Sequence, residues 1–415
     1  MNSTAAPALA SAADLDAADP LASYRDRFLH CGSQEIVAYL DGNSLGRPLV
    51  ATAARMKEFI DGEWGTRLIR SWDEAWMQEP FRVGDKLGEV ALGAAPGQTV
   101  VADSTSVMLY KLLRAAMMGR PGRDEIVVDR ENFPSDRFLV EGIAAELGAT
   151  IRWITPDPAG GVSVDEVRQV IGAKTAVVLL SHVAYRSGFL ADAPVITKTV
   201  RDAGALVLWD LCHSVGSVPI QLDAWNVDLA VGCTYKYLNG GPGAPAFAYI
   251  RSDLQDQLQQ PLWGWMGAQD PFGMTAEYRP ANDIRRFLTG TPPILAMQPL
   301  THMLDLIAET GIEAIREKSV LLTERATALY DQNLAPLGVE LTSPRDPAQR
   351  GSHITIDHPC FQDVVRLLWE RGVIPDFRAP QGLRVGLSPL STSFAELEAG
   401  MAAIRDALNS LLGGR

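Results

Sequence analysis

The sequence is poor in cysteine and has no long apolar run. Only four cysteines occur among 415 residues. None forms a CxxC motif or pairs with histidine at the spacing of zinc ligands, so the pattern excludes a disulfide framework and predicts no metal site. No run of about eighteen apolar residues is present, so no membrane span is predicted. We expect reduced thiols and a cytoplasmic protein.

Clustered positive charge is also missing. The net charge is −13 at pH 7, and no basic cluster of the kind that follows a phosphate backbone occurs. Nucleic acid and anionic membranes are therefore excluded as expected partners. Residues 1–20 are rich in Ala, Ser and Asp and lack a basic start, which predicts a flexible leader rather than a signal peptide.

The sequence does contain the apolar residues for a large core. Hydrophobic residues make up 47% of the chain, and its length favours two domains. From about residue 100, β-branched or aliphatic runs alternate with helical patterns. These runs are EIVV (125–128), TIRWI (150–154), TAVVLL (175–180), LVLW (206–209), LAVG (229–232) and AFAYI (246–250). The alternation predicts an α/β fold with a mostly parallel sheet between helices.

The pattern changes near residue 295. Two helical stretches, 296–309 and 312–334, lead into a smaller unit in which two short strands and two helices are predicted. We therefore expect a large domain over 51–295 and a small α+β domain over 296–415. Residues 21–50 are expected to pack with the small domain.

One lysine lies in a glycine-rich context. Lys236 belongs to the run CTYKYLNGGPG (233–243), and Asp210 closes the apolar run 205–209. An aldehyde cofactor needs a lysine amine for a Schiff base and a carboxylate to keep its ring nitrogen protonated, so the pair suggests pyridoxal phosphate. Taken singly, the lysine also suits a solvated turn and the aspartate a helix cap.

Three further stretches fit that cofactor. The hydroxyls of Thr105 and Ser106 precede a helical run and could bind a phosphate, although a capping cluster has the same pattern. The run FPSD (133–136) could place an aromatic ring over the pyridine, or form an ordinary turn. His213 is close enough in sequence to reach Asp210, or is an unremarkable loop histidine.

At this point the chain resembles the kynureninases, pyridoxal phosphate enzymes of aminotransferase class V and fold type I. The resemblance extends from Tyr39 to Glu398. The matching motifs are YLDGNSLG (39–46), EWG (63–65), IRSW (69–72), FPSD (133–136), WDLCHS (209–214), GCTYKYLNGGPG (232–243), FLTGTPP (287–293) and RGSH (350–353). The resemblance implies a large domain built on a seven-stranded, mostly parallel sheet, with a small α+β domain.

The resemblance also implies a cofactor site. Its implied residues are Thr105, Ser106, Phe133, Ser135, Asp136, Ser181, Asp210, His213, Tyr235, Lys236, Trp265 and Thr291. Lys236 would carry the cofactor, Asp210 would pair with the ring nitrogen, and Tyr235 would relay a proton. Trp265 and Thr291 would reach the pocket of the neighbouring subunit, which implies a homodimer.

The implied substrate is a small amino acid with a γ-ketone. The implied substrate-binding residues are Arg384, Asn43, Ser44, Trp72, Met108 and Ala184. Arg384 would bind the α-carboxylate, since a planar guanidinium suits that group. The implied reaction is hydrolytic cleavage of the Cβ–Cγ bond of L-kynurenine to anthranilate and L-alanine.

Four positions depart from the family pattern. Met108 and Ala184 stand where polar residues, commonly Asn, are found in the family, and bacterial relatives have His at Ala268 and Tyr at Ser391. The segment after Trp72 is one residue shorter. Lost hydrogen bonds in a pocket could redirect the enzyme to a modified kynurenine. Packing changes away from the substrate are the alternative.

Two other functions stay open. Another class V reaction, such as transamination, racemisation or desulfuration, would use the same fold, although Cys360 lacks the glycine-rich loop that desulfuration needs. A sensor or scaffold that only retains the cofactor is the other. The presence of both Lys236 and Arg384 favours an enzyme.

Overall fold

The computed structural model describes residues 11–29 and 35–413. The α-helices of this part are α1 (Ala12–Ala18), α2 (Val50–Glu58), α3 (Glu79–Leu87), α4 (Thr105–Met118), α5 (Pro134–Leu147), α6 (Val164–Val170), α7 (Ala193–Asp202), α8 (Ile294–Thr310), α9 (Ile312–Asn333), α10 (Phe361–Glu370) and α11 (Phe394–Gly413). The strands are β1 (Ala38–Tyr39), β2 (Thr99–Ala102), β3 (Glu125–Asp129), β4 (Thr150–Ile154), β5 (Thr175–Ser181), β6 (Leu206–Asp210), β7 (Leu229–Cys233), β8 (Ala246–Ile250), β9 (Glu340–Leu341), β10 (His353–Asp357), β11 (Val373–Ile374), β12 (Asp376–Arg378) and β13 (Gly382–Gly386).

Short helical turns connect these elements. The 3-10 turns are Ala22–Arg27, Leu68–Arg70, Ser252–Leu254, Trp265–Gly267, Ile284–Phe287, Ala335–Leu337 and Pro347–Gln349, and the π-helical turns are Phe59–Arg67, Trp72–Trp76 and Gly88–Leu92. None of the helices in the described ranges combines the length and apolar character needed to cross a bilayer.

A seven-stranded sheet dominates the described chain. Its strand order is β2-β8-β7-β6-β5-β3-β4, with β8 antiparallel to both neighbours and the other pairs parallel. The predicted α/β class is confirmed, and each of the runs named from the sequence forms a strand. Strand β2 was not predicted from the sequence. It is a short buried strand at the edge of the sheet, and it precedes the region in which strands and helices alternate.

Helices cover both faces of this sheet. Successive strand residues alternate between two buried clusters: Val207 and Trp209 join one, while Leu206 and Leu208 join the other. Helices α3, α7 and α8 contribute to the first cluster, and α4 and α5 to the second. Burial on both faces explains why the strands read as continuous apolar runs.

A second sheet lies in the C-terminal part. Its order is β12-β13-β10-β9, with every pair antiparallel, and it forms a third buried cluster with α9, α10 and α11. Ala38 and Leu40 from the β1 region belong to the same cluster. Helix α8 instead packs on the central-sheet core through Met297 and Leu300. The division near residue 295 stays a prediction.

Residues 11–20 differ from the flexible leader expected over 1–20. They include α1, whose Ser11 side chain accepts a hydrogen bond from the Asp14 N–H, and Ala12 is buried in the third cluster. Asp19 forms a buried ion pair with Lys318 at 2.6 Å. An Ala-rich helix packs well against α11, and composition alone does not reveal that packing. Residues 1–10 of the expected leader lie outside the described residues.

Candidate active site

Lys236 lies in the loop that follows β7, at the carboxyl edge of the central sheet. Its Nζ is 2.9 Å from Nε2 of His213, and 5.9 Å and 6.0 Å from the ring centres of Phe133 and Tyr235. Parallel strands collect ligand-binding residues at this edge, because the loops after successive strands meet there. The structure therefore brings these four predicted residues together.

Local hydrogen bonds hold the lysine loop. The Gly240 N–H donates to the Thr234 carbonyl at 2.9 Å, and the Thr234 hydroxyl donates to the Pro245 carbonyl at 2.5 Å. A Cβ on Gly240 would lie 2.9 Å from that same Thr234 carbonyl oxygen, so the close approach requires glycine. The glycine-rich run thus closes the loop on itself and directs Lys236 towards the sheet edge.

Two buried carboxyl groups lie near the lysine. Asp210 ends β6 and accepts the Cys212 N–H at 2.8 Å, and Asp136 lies in the first turn of α5. Burial raises the pKa of Asp136 well above that of an ordinary carboxyl, and the negative charges of Asp210 and Asp129 raise it further. Its surroundings therefore favour the protonated form of Asp136 more than those of an ordinary carboxyl do.

His213 is a neutral base beside the lysine. Burial lowers its pKa well below the usual histidine value, and the charges of Lys236 and Arg384 lower it further. Within the described ranges its Nδ1 has no hydrogen-bond partner. The ring of His353 lies 5.6 Å away, centre to centre.

Phe133 is positioned by its neighbours. Asn132 Oδ1 accepts both the Phe133 N–H and the Ser181 hydroxyl, each at 2.8 Å. The Tyr185 ring meets Phe133 edge-on at 5.4 Å. Ser135 follows, half-buried in the first turn of α5. These contacts hold the Phe133 ring in place at the edge of the sheet.

A cavity of about 530 Å³ opens at the N-terminus of α4. Thr105, Ser106, Tyr235 and Thr291 line it, together with Asp103. The Ser104 side chain caps α4 by accepting the Val107 N–H at 3.4 Å. Hydroxyls beside the amide groups of a helix N-terminus suit a phosphate. The structure brings together these hydroxyl-bearing residues, which the sequence places far apart.

Arg384 lies in the interior, on β13. It is 1% exposed, and it donates to the Tyr185 carbonyl at 2.7 Å and to the Ser44 hydroxyl at 2.8 Å. The Asp376 carboxylate pairs with it at 2.6 Å. In the described chain its Nε has no partner, nor has the amide of the fully buried Asn43. Free donors therefore remain beside Arg384 for a further acceptor.

The other predicted residues lie in several different surroundings. Trp72 packs edge-on against Trp76 at 5.4 Å, and Met108 is fully buried in the second core cluster. Trp265 and Ala268 line a separate cavity of about 270 Å³. Ser391 is buried and lines a small cavity beside Tyr237 and Asn239. Ala184 shares a small cavity with Ser181 and Asn132.

Three residues of this region were not predicted from the sequence. Asn132 directly precedes the FPSD run, so its position could have identified it. His353 belongs to the RGSH motif, which had been noted without a role. Asp376 had no sequence signal, because only the pairing of β12 with β13 places it opposite Arg384.

The residues around Lys236 fit pyridoxal phosphate. The amine and a nearby carboxylate suit the aldehyde and the ring nitrogen, and the Phe133 face suits the ring. Buried polar atoms without a partner among the described residues, such as Asn132 Nδ2 and His213 Nδ1, leave hydrogen-bonding capacity for a polar ligand. No group of three His, Cys, Asp or Glu able to hold a metal ion occurs in the described ranges.

Solved structures share the fold at low sequence identity. The apo cysteine desulfurase of Thermococcus onnurineus NA1 has a TM-score of 0.78 and 20% identity, covering 90% of this chain and 95% of its own. A C-DES variant with glycine linked covalently to its PLP cofactor has a TM-score of 0.79 and 18% identity, covering 92% and 99%.

Relatives with higher sequence identity define the family more narrowly. Residues 94–376 match the aminotransferase class-V family. A kynureninase of Burkholderia pseudomallei (strain 1106a) is 43% identical over 403 residues, or 95% of this chain and 94% of the relative. A kynureninase of Pseudomonas fluorescens is 42% identical over 390 residues, or 92% and 91%. The chain therefore belongs to the kynureninases, within aminotransferase class V.

Proposed function

We propose that this protein is a pyridoxal phosphate enzyme that hydrolyses the Cβ–Cγ bond of L-kynurenine, giving anthranilate and L-alanine. The observation that carries the proposal is the 43% identity to a kynureninase over 95% of the chain. The grouping of Lys236, His213 and Phe133 at the sheet edge supports it. Bound pyridoxal phosphate supplies an aldehyde for the substrate amine and a ring that accepts electrons from Cα.

Lys236 is the proposed attachment point and proton carrier. Its amine would hold the cofactor aldehyde and, when free, would remove the Cα proton and return a proton nearby. The neutral His213, 2.9 Å from Nζ, accepts a hydrogen bond from that amine and orients it. Asp210 supplies the negative charge that keeps the ring nitrogen protonated.

The surrounding residues position the cofactor. Phe133 would stack on the ring, Asp136 would act on its polar edge, and Ser181 would line the phosphate or its approach. Thr105 and Ser106 hold the phosphate at the N-terminus of α4, where the amide groups favour an anion.

Arg384 is the proposed binding site of the substrate α-carboxylate. Arg384 donates to the Ser44 hydroxyl, and the amide of Asn43 has no partner among the described residues. The Asn43 amide is therefore a donor that remains for that carboxylate. Asp376 occupies one side of the guanidinium. The Nε of Arg384 has no partner among the described residues, so it is the donor of the guanidinium that the proposal gives to the substrate carboxylate.

Tyr235 is the proposed proton relay for the later steps. Burial raises the pKa of its phenol, so the group keeps its proton at neutral pH and can donate it. Water adds to the γ-carbonyl, and cleavage of the Cβ–Cγ bond leaves a carbanion equivalent at Cβ that needs a proton.

The active unit is proposed to be a cytoplasmic homodimer. Trp263, Trp265, Phe272 and Met274 are each more than a third exposed and form an apolar stretch suited to an interface. Trp265 belongs to this stretch and would complete the pocket of the partner subunit. This explains why Trp265 does not approach Lys236 of its own chain. Thr291, which lines the cavity at the N-terminus of α4, would do the same if that cavity opens on the subunit interface.

Other reactions receive less support. Desulfuration needs an accessible thiol, but Cys212, Cys233 and Cys360 are buried, and Cys31 lies outside the described residues. A modified kynurenine remains a second candidate substrate. Ala268 lines the same cavity as Trp265. Having Ala268 in place of the histidine of bacterial relatives would therefore change one wall of that cavity. Met108 lies in the core, which favours a packing change at that position.

The test is turnover with kynurenine and, separately, with 3-hydroxykynurenine, following the visible absorbance of the bound cofactor and the fluorescence of anthranilate. Rapid release of anthranilate supports the proposal. Cofactor spectral changes without product from either substrate would contradict it and favour another γ-keto amino acid. A stable cofactor spectrum with no response to substrate would favour the sensor.

A further inference from the structure

Lys111 is a fully buried cation for which the proposed reaction has no use. It lies on α4 with 0% exposure, and its Nζ donates to Asp103 Oδ2 at 2.6 Å and to the Phe287 carbonyl at 2.9 Å. A buried ammonium is costly unless its partners are well placed. Since a methionine or leucine would fill the same space without that cost, the charge itself requires an explanation.

Asp103 sits at a strained turn on the wall of the 530 Å³ cavity. Its φ of 51° is in the left-handed region, which non-glycine residues seldom adopt. Its carbonyl accepts the Ala246 N–H at 2.8 Å, and its carboxylate lines the same cavity as Thr105 and Ser106. A carboxylate there would repel a phosphate unless it were neutralised, and Lys111 neutralises it.

The second partner of Lys111 belongs to a different segment. Phe287 ends the 3-10 turn Ile284–Phe287, four residues before Thr291, which lines the same cavity. One ammonium group thus joins the turn that opens α4 to the chain that leads to Thr291.

We propose that Lys111 is a positioning residue for the cofactor phosphate. It holds the Asp103 turn beside Thr105 and Ser106, and it cancels the charge of the Asp103 carboxylate. The inference rests on the proposed function in one respect, namely that Thr105 and Ser106 bind the phosphate.

The test measures the affinity of the purified protein for pyridoxal phosphate, from visible absorbance after the holoenzyme is diluted into cofactor-free buffer. Lys111→Met is expected to weaken affinity by roughly 10- to 100-fold, since it exposes the phosphate to an unpaired carboxylate. Adding Asp103→Asn to that variant is expected to raise the affinity for pyridoxal phosphate again by roughly tenfold, because the repulsive charge is gone. A merely structural role for Lys111 would not produce that recovery.

A matched control comes from the buried pair Lys318–Asp19, also at 2.6 Å. Lys318→Met removes an equally buried cation from α9, so it is expected to lower the melting temperature without changing cofactor affinity. Equal losses of affinity in the two lysine variants would overturn the inference. So would wild-type affinity in Lys111→Met, or no recovery with Asp103→Asn.

Two further variants keep the outcomes separate. If Lys111→Met does not fold, Lys111→Gln retains a donor but not the charge, and wild-type affinity in that variant would overturn the inference. The double variant Thr105→Ala/Ser106→Ala tests the phosphate placement alone. If it binds the cofactor normally, the proposed phosphate site is wrong. If it binds weakly while Lys111→Met binds normally, only the role of Lys111 is wrong.

Discussion

At the scale of single residues, burial decides which groups carry charge. Asp136 and Asp210 are both nearly inaccessible, at 3% and 6% exposure, and burial together with the charge of its neighbour raises the pKa of Asp136. Two adjacent carboxylates cannot both ionise cheaply in such a place. Burial and the neighbouring negative charges thus set Asp136 apart from an ordinary carboxyl.

This separation predicts different outcomes for the two amide variants. Asp136→Asn imitates a protonated carboxyl, so cofactor affinity and kcat are expected to stay within about fivefold of wild type. Asp210→Asn removes the carboxylate that we propose pairs with the ring nitrogen, so kcat is expected to fall at least about 100-fold while the cofactor stays bound. Cofactor titration and steady-state kinetics on both variants check this, and similar losses in both would contradict it.

His182 predicts a pH dependence of stability. Burial lowers its pKa to about 3, and its ring lies between those of Trp209 and Trp225. In the unfolded chain His182 binds a proton near pH 6.5, and in the folded chain it does not. The stability that depends on neutral His182 is therefore complete above pH 6.5 and is lost as the pH falls towards 3.

Replacing His182 should therefore reduce the loss of unfolding free energy that accompanies a fall in pH below 7. Between pH 7 and pH 5, His182→Asn is expected to lose about 2 kcal/mol less unfolding free energy than wild type. Urea unfolding at both pH values measures this, with the half-buried His302→Asn as the control. An equal pH dependence in wild type and His182→Asn would show that the histidine does not resist protonation.

At the scale of elements, the approach of α3 to β2 depends on one glycine. A Cβ on Gly84 would lie 2.2 Å from the Thr99 carbonyl oxygen, so the helix backbone rests directly on the strand. Backbone atoms cannot move aside as a flexible side chain can. The edge of the sheet that leads into Asp103 is held by this contact.

Gly84→Ala is expected to destabilise the protein by about 1–3 kcal/mol, since the helix must move away from β2. The matched control is Gly142→Ala on α5, where a Cβ meets no atom within 4 Å. That change is expected to stabilise by about 0.5–1 kcal/mol through helix propensity. Thermal unfolding of both variants checks the pair, and stabilisation by Gly84→Ala would disprove the close packing.

At the scale of the whole molecule, the proposed dimer makes a prediction about shared sites. A Lys236→Ala chain and a Trp265→Ala/Thr291→Ala chain are each expected to be nearly inactive. If Trp265 and Thr291 act on the partner pocket, co-expression should restore about a quarter of the wild-type sites, because half the dimers are mixed and each has one intact site. Activity of the purified mixture measures this. No recovery in confirmed mixed dimers would place all the groups within one chain.

Local signals in the sequence were enough to predict the sheet and the edge of it where Lys236 lies. Asp210 closes a buried apolar run and Lys236 follows the next strand, so parallel strand order alone brings the two loops to one edge. The continuous apolar runs also predicted strands buried on both faces. These features depend on residues close together in the chain, where composition and spacing carry the information.

Only the tertiary structure decided the partners of the buried charges. Asp376 reaches Arg384 through the pairing of β12 with β13, and Lys111 meets Phe287 across 176 positions of the sequence. It also decided that α1 packs against the C-terminal part, and that Met108 lies in the core. Contacts between distant segments depend on how packed elements meet, and the free energy of burying a charge depends on every neighbour at once. The sequence by itself determined the sheet and the lysine site, and the packing determined which side chains support them.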